Sequence, residues 1–302
     1  MKFQKPTLLL TILLCWAAGT LSAQSVDTVA VFSPSMNKQV KNVIILPEGY
    51  DPQAAEAYPV VYLLHGYSGS YNSWIGIRPE LPRDASRLRC IIVCPDGGYD
   101  SWYWDSPRVK DYRYETYVSK ELTDYIDSNY RTLRDRTGRA ISGNSMGGHG
   151  ALWLALRHND VFGACGSVPG GVDIRPFPDN WNMKRHLGEY YENPKVWDEH
   201  TVATQLYRIK AGKGVPRSWG NANLLKMEPR QLAIIIDCGT DDFFFDVNAA
   251  LHQAMIHNNI VHDYIVRPGV HNAQYGSNAM SFQLVFFDNY FHREKKFKQQ
   301  EQ

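Results

Sequence analysis

The feature that most constrains this chain is a serine set among glycines at the end of an apolar run. The stretch RAISGNSMGGHGALW covers residues 139–153, and its centre places Ser145 between Gly143 and Gly147. Glycine tolerates positive φ and lets neighbouring backbone approach closely, so this crowding predicts a sharp bend. A strand, a serine at the apex of a tight turn and a helix make up the G-x-S-x-G arrangement that presents a nucleophile. An ordinary glycine-rich turn has the same pattern, so the rest of the chain must decide.

Apolar runs bounded by turn residues alternate with helical patterns along the chain. Such runs are typical of strands in a parallel sheet covered on both faces. The alternation implies right-handed crossovers and a doubly wound α/β fold. Two earlier segments, SVDTVAVFSP and KNVIILPEGY, predict an antiparallel pair joined by a turn around residues 35–37. The later predicted strands are YPVVYLLHG, RCIIVCPDGG, GRAISGNS, FGACGSVPGG, QLAIIIDCG and HDYIVRPGVH.

Two segments depart from this alternation. Residues 170–230 are rich in Pro, Trp, Asn and charge, which predicts a cap-like insertion over the active-site edge of the single domain formed by residues 24–302. Residues 1–23 have the layout of a secretory signal peptide, because Lys2 and Lys5 precede an apolar run and small residues follow it. The run is too short to span a membrane comfortably. We therefore expect a periplasmic or secreted protein with no stable membrane insertion.

The charge balance and the cysteine spacing argue against a nucleic-acid partner, a Cys90–Cys94 disulfide and a zinc site. Lysine and arginine number 32 against 31 aspartate and glutamate, a net charge of +1, and no long basic block appears, so nucleic acid is not expected as a partner. Cys90 and Cys94 flank three residues of a predicted strand, too far apart for a disulfide. No Cys or His spacing indicates zinc. No metal or cofactor is expected, and the sequence leaves the oligomeric state open.

Candidate partners for Ser145 follow from strand order. In this fold the acid and then the histidine come after the serine, at the carboxyl ends of later strands. The stretch IIIDCGTDDFFFD offers Asp241 and Asp242 in the turn that follows a strand, and His271 ends the last strand run. His65 precedes the serine at the end of a buried strand and is expected to be structural. The predicted constellation is one serine, one of two carboxylates and one histidine.

Backbone N–H groups are the expected oxyanion donors. The N–H of Met146 follows the serine at the positive end of a helix. The second donor is expected from the loop after an earlier strand, where YLLHGYSGSYNSW places Tyr67. Both groups would meet the negative charge that develops on the oxygen of a carbonyl group attacked by the serine.

Six segments, in order, resemble the putative-esterase family: YLLHGYSGSYNSW, PDGGYDSWYWDSP, YRYETYVSKEL, ISGNSMGGHGALWLA, DCGTDDFF and RPGVH. That family holds tributyrin-type, feruloyl and acetylxylan esterases, S-formylglutathione hydrolases and mycolyltransferases. The resemblance spans about residues 42–291 and implies an α/β-hydrolase fold with a metal-free serine mechanism. It implies that Asp242, with Asp241 as a neighbour, is the triad acid, and that His271 is the base. It also assigns the oxyanion donors to Tyr67 and Met146.

The resemblance has one departure, which concerns the acyl pocket. Similar members often carry tryptophan two and five residues after the histidine, where this chain has Ala273 and Gly276. We therefore expect room beside the triad.

The aromatic residues bear on the substrate. Trp102, Tyr103 and Trp104 follow a strand end on the serine's side of the sheet, and Trp181 lies in the insertion. Such side chains can stack on a sugar or on a phenolic acyl group, or they can pack beneath the insertion. We take Trp102, Tyr103 and Trp181 as the substrate-binding candidates.

The predicted function is an exported serine esterase that removes acetyl or feruloyl-type groups from small-molecule or polysaccharide carbohydrate esters through an acyl-enzyme. Three alternatives remain. An acyltransferase of the mycolyltransferase type would use the same residues with a second alcohol in place of water. An S-formylglutathione hydrolase would need a cytoplasmic substrate, which the signal peptide argues against. A non-catalytic carbohydrate-binding module would keep the fold without the chemistry.

Overall fold

A computed structural model describes residues 25–209 and 231–301, and these residues form a mostly parallel sheet with helices on both faces. The predicted signal peptide, residues 1–23, lies outside the described residues, as do residues 210–230 of the predicted insertion. The spatial strand order is β1-β2-β4-β3-β5-β6-β7-β8. The strands are β1 (Ser25–Ser33), β2 (Lys38–Leu46), β3 (Val60–Leu64), β4 (Ile91–Pro95), β5 (Arg139–Ser145), β6 (Ala164–Gly170), β7 (Ala233–Gly239) and β8 (Asp263–Arg267).

Pairing within the sheet confirms the predicted fold class. Strands β1 and β2 form the predicted antiparallel hairpin, with Ser25 opposite Leu46 and Ser33 opposite Lys38. Strand β2 is also antiparallel to β4, whereas β3 to β8 pair in parallel. Parallel neighbours need crossover connections, and here these are mostly helical. The carboxyl ends of β3 to β8 therefore meet at one edge of the sheet.

Helices cover both faces of the sheet. Residues 114–129 form a helix that contains a π-helical turn at Tyr117–Glu121 between two α-helical pieces. Two 3₁₀ turns occupy Arg136–Gly138 and Val202–Arg208. The α-helices are α1 (Ser73–Ile77), α2 (Leu81–Leu88), α3 (Tyr114–Thr116), α4 (Leu122–Asn129), α5 (Met146–Arg157), α6 (Met183–Leu187), α7 (Pro194–Glu199), α8 (Phe245–His257) and α9 (Ala273–Glu301).

The core lies on the two faces of the central strands. Every residue of β3, β4, β6 and β7 is buried. This continuous burial explains why their sequences are apolar runs and do not alternate with polar residues. Cys94, Cys165 and Cys238 lie in these strands and Cys90 directly precedes β4, and all four are buried free thiols.

The described part of the insertion, residues 170–209, contains α6, α7 and the second 3₁₀ turn. It is tied to the loop after β4 through Asp100, which is 1% exposed. Arg185 Nη1 lies 3.1 Å from an Asp100 oxygen, and Asn182 Nδ2 lies 3.2 Å from it. These contacts fix the insertion beside the carboxyl edge of the sheet. Within residues 25–209 and 231–301, no helix is long and apolar enough to cross a membrane.

Candidate active site

Ser145 lies at a strained turn between β5 and α5. Its backbone has φ 57° and ψ −121°, a conformation that non-glycine residues rarely adopt. Its neighbours Gly143 and Gly147 must be glycine because backbone of other segments approaches them closely. A β-carbon placed on Gly147 would lie 2.2 Å from the carbonyl oxygen of Leu64, and one on Gly143 would lie 2.4 Å from the carbonyl oxygen of Gly147. The glycines thus let β3, β5 and α5 converge beneath the serine.

Ser145, His271 and Asp242 form one hydrogen-bonded chain. Ser145 Oγ lies 2.9 Å from His271 Nε2, and His271 Nδ1 lies 2.8 Å from Asp242 Oδ2. A carboxylate can only accept, so Nδ1 carries the proton and Nε2 is left to accept the serine hydroxyl proton. The chain can therefore remove a proton from the serine hydroxyl and stabilise the cationic imidazole that results.

The structure distinguishes the two carboxylates of the β7 turn. The Asp242 side chain is buried, and its Oδ1 accepts the backbone N–H of Phe244 at 2.8 Å. Asp241 is exposed, and its carboxylate accepts the hydroxyl of Thr240 at 2.9 Å. Of these two carboxylates, Asp242 is the one that is hydrogen-bonded to His271.

A buried carboxylate, Asp237, braces the segment that carries His271. The Tyr275 hydroxyl donates to Asp237 Oδ1 at 2.6 Å, and Arg267 forms an ion pair with the same carboxylate. Burial, together with the adjacent Asp237 charge, raises the pKa of Tyr275, so its hydroxyl stays protonated and can donate. These contacts join the end of β7 to the residues on either side of His271.

Two backbone amides predicted as oxyanion donors lie next to the serine. Met146 is the first residue of α5, and the first amides of a helix have no intrahelical acceptor. Tyr67 follows Gly66, and a β-carbon placed on Gly66 would lie 3.2 Å from Ser145 Cβ. The loop after β3 therefore touches the serine turn.

His65 has only structural contacts. Its Nε2 accepts the N–H of Gly97 at 2.7 Å, and its Nδ1 lies 2.8 Å from the carbonyl oxygen of Gly66. Burial lowers the pKa of His65, which keeps the ring neutral in this role. Its ring thus links the loop of Tyr67 to the loop after β4.

The prediction that Trp102 and Tyr103 are exposed to substrate is wrong. Their side chains are 1% and 0% exposed. Both residues have positive φ, 52° and 59°. The Trp102 ring packs against Trp181 of the insertion. The Tyr103 ring packs between Gly97 and Gly150. The Tyr103 hydroxyl donates to the carbonyl oxygen of His65 at 3.1 Å, and Trp102 stacks on Trp104. Burying each large ring contributes about 2 kcal/mol, which favours this inward arrangement.

Trp181 and a residue that sequence reasoning missed, Phe243, lie beside the histidine. Trp181 is half-buried and stacks on Phe243, with 5.7 Å between the ring centroids. The Phe243 ring centroid is 4.2 Å from that of His271, and Phe243 is 51% exposed. The available signal was the run of three phenylalanines after Asp242, but the sequence does not tell which of them faces solvent.

The described residues, 25–209 and 231–301, contain no group of three or more His, Cys, Asp or Glu side chains arranged to hold a metal ion. What these residues bring together at the sheet edge is a hydroxyl, an imidazole, a carboxylate and two backbone amides. This set is suited to acyl transfer through a serine.

Comparison with known proteins identifies relatives over most of the chain. A model of the protein family described as "Putative esterase" matches residues 33–284. A solved ferulic acid esterase superposes with a TM-score of 0.71 at 27% identity, covering 89% of this chain and 98% of that one. The likeness therefore extends over almost the whole of that structure.

Two curated relatives match over shorter spans. An esterase of Mycobacterium tuberculosis is 34% identical over 138 residues, which cover 44% of this chain and 29% of that protein. An endo-1,4-beta-xylanase/feruloyl esterase of Xylanibacter ruminicola is 31% identical over 158 residues, covering 49% of this chain and 22% of that protein. This chain thus matches less than a third of either relative's length.

Proposed function

The chain belongs to the putative esterase family of carboxylic-ester hydrolases, and we propose that it works through a triad of Ser145, His271 and Asp242. The observation that carries this proposal is the continuous hydrogen-bonded chain from Ser145 Oγ through the His271 ring to the buried Asp242. The strained backbone at Ser145 supports it, because strain of this kind is found at functional sites.

In the proposed mechanism, Ser145 Oγ forms a bond to the ester carbonyl carbon while its proton passes to His271 Nε2. The carbonyl π electrons move to oxygen, and the N–H groups of Tyr67 and Met146 stabilise that oxyanion. Each such donor is worth about 3 kcal/mol in the transition state. Collapse of the intermediate breaks the bond to the alcohol oxygen, which takes the proton from the imidazolium. Water then repeats these steps on the acyl-enzyme and releases the acid.

Asp242 has a supporting part in both halves of the reaction. Its carboxylate holds the proton on Nδ1, which keeps Nε2 pointed at the serine in the accepting tautomer. Its negative charge also stabilises the imidazolium. The backbone N–H of Phe244 fixes the second carboxylate oxygen, so the carboxylate cannot easily turn away from the histidine.

The proposed substrates are acyl esters of carbohydrates, with acetyl and larger acyl groups accepted, a feruloyl group included. Space beside the serine turn supports this breadth. A β-carbon placed on Gly276 would meet only Asn144 Nδ2, at 3.8 Å. The relative whose name joins a xylanase to a feruloyl esterase also supports a polysaccharide context. The predicted signal peptide would carry the enzyme to the periplasm or outside the cell, where such polymers are found.

The test compares purified wild type with Ser145→Ala on p-nitrophenyl acetate. We expect kcat to fall on the order of 10⁶-fold, because the nucleophile is lost, while the circular dichroism spectrum is unchanged. Ser128→Ala, an exposed serine on α4, is the matched control and should keep wild-type activity. More than a few per cent activity in Ser145→Ala would overturn the proposal.

Substrate class is tested by comparing acetylated and feruloylated xylosides with simple alkyl esters of the same acids. We expect kcat/KM to be higher on the xylosides. If no xyloside is hydrolysed, the activity is that of a general carboxylesterase. Adding a free sugar alcohol to the same assay distinguishes hydrolysis from acyl transfer, since a transferase would give a new sugar ester as its main product. The mass of the exported protein shows whether cleavage occurs after residue 23.

A further inference from the structure

An exposed aromatic wall, formed by Phe243 and Trp181, lies beside His271. The two rings stack at 5.7 Å with an interplanar angle of 25°. Phe244, which is 1% exposed, packs under both rings, with centroid distances of 4.6 Å to Phe243 and 5.2 Å to Trp181. Phe243 therefore sits on a fixed apolar base while half of its own surface faces solvent. Phe243 lies between His271 and Trp181, so the part of its ring that faces solvent is an apolar edge next to the reacting atoms.

The insertion holds Trp181 in an unfavourable backbone conformation. Trp181 and Asn182 both have positive φ, 48° and 57°. Two successive left-handed non-glycine residues cost free energy and persist only where surrounding contacts require them. Those contacts come from Asp100, which accepts from Asn182 and Arg185, and from the Trp102 indole, which donates to the Trp181 carbonyl at 3.4 Å. The structure thus fixes the tryptophan against Phe243.

The position of the wall identifies which half of the substrate it would meet. The imidazole that accepts the serine proton must return it to the departing alcohol oxygen, so the alcohol lies beside the histidine. The ring centroid of Phe243 is 4.2 Å from that of His271. The carbonyl oxygen, in contrast, lies toward the amides of Tyr67 and Met146. The wall therefore borders the alcohol side of the site.

We propose that Phe243 and Trp181 form the alcohol subsite and bind the apolar face of a sugar ring whose hydroxyl carries the acyl group. This inference rests on the proposed function and extends it from the reaction to the leaving group. A pyranose presents C–H groups on one face and hydroxyls at its edge. The wall supplies an apolar ring edge for the C–H groups, and the exposed residues Asn272 and Gln274 follow His271 in the same segment. Small alcohols such as ethanol are too short to cover the two rings.

The experiment compares two acetyl esters that give the same acyl-enzyme, an acetylated methyl xyloside and ethyl acetate. Phe243→Ala is expected to lower kcat/KM about tenfold more for the xyloside ester than for ethyl acetate, because only the sugar loses an apolar contact. Trp181→Ala should shift the same ratio in the same direction. Phe243→Tyr, which keeps the ring, should preserve the wild-type ratio.

A control variant and a separate measurement of the deacylation rate complete the experiment. Tyr191→Ala removes an aromatic ring that is 89% exposed on the same insertion, and it should leave both esters unaffected. The deacylation rate measured from the shared acetyl-enzyme should not depend on which ester formed it, so the xyloside-specific loss must appear in acylation. Equal losses on both esters in Phe243→Ala, or no loss on the xyloside, would overturn the subsite. Failure of the proposed function is a different outcome, namely ester hydrolysis that survives Ser145→Ala.

Discussion

Two histidines near the same sheet edge, His271 and His149, have opposite surroundings. The His271 side chain is 20% exposed and lies between a hydroxyl and a carboxylate. His149, one turn into α5 after Ser145, is 0% exposed. Its Nδ1 lies 3.0 Å from the carbonyl oxygen of Gly171, and its Nε2 accepts the Trp104 indole N–H at 3.0 Å. The nitrogens of one imidazole meet a hydroxyl and a carboxylate, whereas those of the other meet a buried backbone carbonyl and a buried indole.

The difference shows that environment, and not distance from the serine along the chain, assigns a histidine its part. Burial lowers the pKa of His149 to about 3, although the bond to Gly171 opposes this shift, so the ring is neutral at ordinary pH. Rings of Trp102, Trp104 and Trp153 surround it. His149 thus joins the loop after β4 to the beginning of the insertion, while His271 faces the reacting groups.

The largest expected effect separates the two histidines by activity. His271→Ala should lower kcat on p-nitrophenyl acetate on the order of 10⁶-fold, because the base is lost, and change the free energy of unfolding by less than about 1 kcal/mol. His149→Ala should instead cost about 3 kcal/mol of stability, since it leaves a cavity and an unpaired indole N–H. Urea unfolding and kcat, measured on the same preparations, check both. A folded His149→Ala protein as inactive as His271→Ala would break the comparison.

The next effect concerns the partner of His271. Asp242→Asn should reduce kcat about 10⁴-fold, because an amide no longer holds the accepting tautomer of the imidazole. Asp241→Asn is the matched control, an identical change one residue away on an exposed side chain, and it should reduce kcat less than about tenfold. Steady-state kinetics on one ester suffice. Equal or reversed losses would show that Asp242 is not the carboxylate that supports the base.

Backbone packing under the serine sharpens the contrast between the reactive and the structural region. Gly147→Ala should destabilise the protein by about 3 kcal/mol and lower activity, because the new methyl group would collide with the carbonyl oxygen of Leu64. Gly276→Ala adds the same methyl group where the nearest atom is 3.8 Å away, so stability should change by less than about 1 kcal/mol. Thermal melting of the two variants tests this. Similar melting temperatures would contradict the close approach under the turn.

The smallest effect is a dependence of stability on pH caused by His149. Its pKa is about 3 when folded and near 6.5 when unfolded, so below pH 6.5 the unfolded chain binds one more proton. Its contribution to stability is therefore full above pH 6.5 and falls toward pH 3, by at most about 1.4 kcal/mol per pH unit. His149→Gln should show a shallower loss between pH 6 and 4 in urea titrations.

A second group, Glu115, also makes the stability of the protein depend on pH in the acid range. Burial favours a raised pKa for Glu115, but hydrogen bonds from His158, Arg157 and Trp153 outweigh it and hold that pKa at about 2. Stability from Glu115 is present above pH 4.5 and falls toward pH 2, in wild type and in His149→Gln alike, so it cancels in the difference of slopes. If the free energy of unfolding has the same slope against pH in wild type and in His149→Gln, His149 is excluded as the titrating group.

The sequence predicted the fold class because its signals are local. Apolar runs predicted six strands of a parallel sheet and two further segments predicted an antiparallel pair, and the described residues contain all eight strands, with that pair at one edge. The crowded glycines around Ser145 predicted a bend, which the backbone at that residue has. The membership in the esterase family, suggested by six motifs in order, is confirmed. The catalytic roles of the residues at the turn remain proposals.

Side-chain surroundings could not be predicted in the same way. Trp102 and Tyr103 follow a strand end, which placed them at the correct edge, but whether they turn outward depends on tertiary contacts, with the insertion for Trp102 and with Gly97 and Gly150 for Tyr103. The two carboxylates, Asp241 and Asp242, are adjacent and chemically identical, and only the path of the chain after β7 buries one of them. Phe243 lies next to Asp242 in sequence, yet its contact with His271 spans the turn after β7 and the end of the β8 segment.

By itself, the sequence determined the order of strands and helices and the position of the strained serine, because hydrophobic period and glycine freedom act within a few residues. Tertiary structure decided which histidine is buried and which is available. His149 meets Gly171 and Trp104, which are 22 and 45 residues away along the chain, and His271 meets Ser145 across 126 residues. Contacts over such separations form only when the sheet brings its strand ends to one edge. The chemical role of each imidazole is therefore set by packing, since only packing determines which groups its two nitrogens meet.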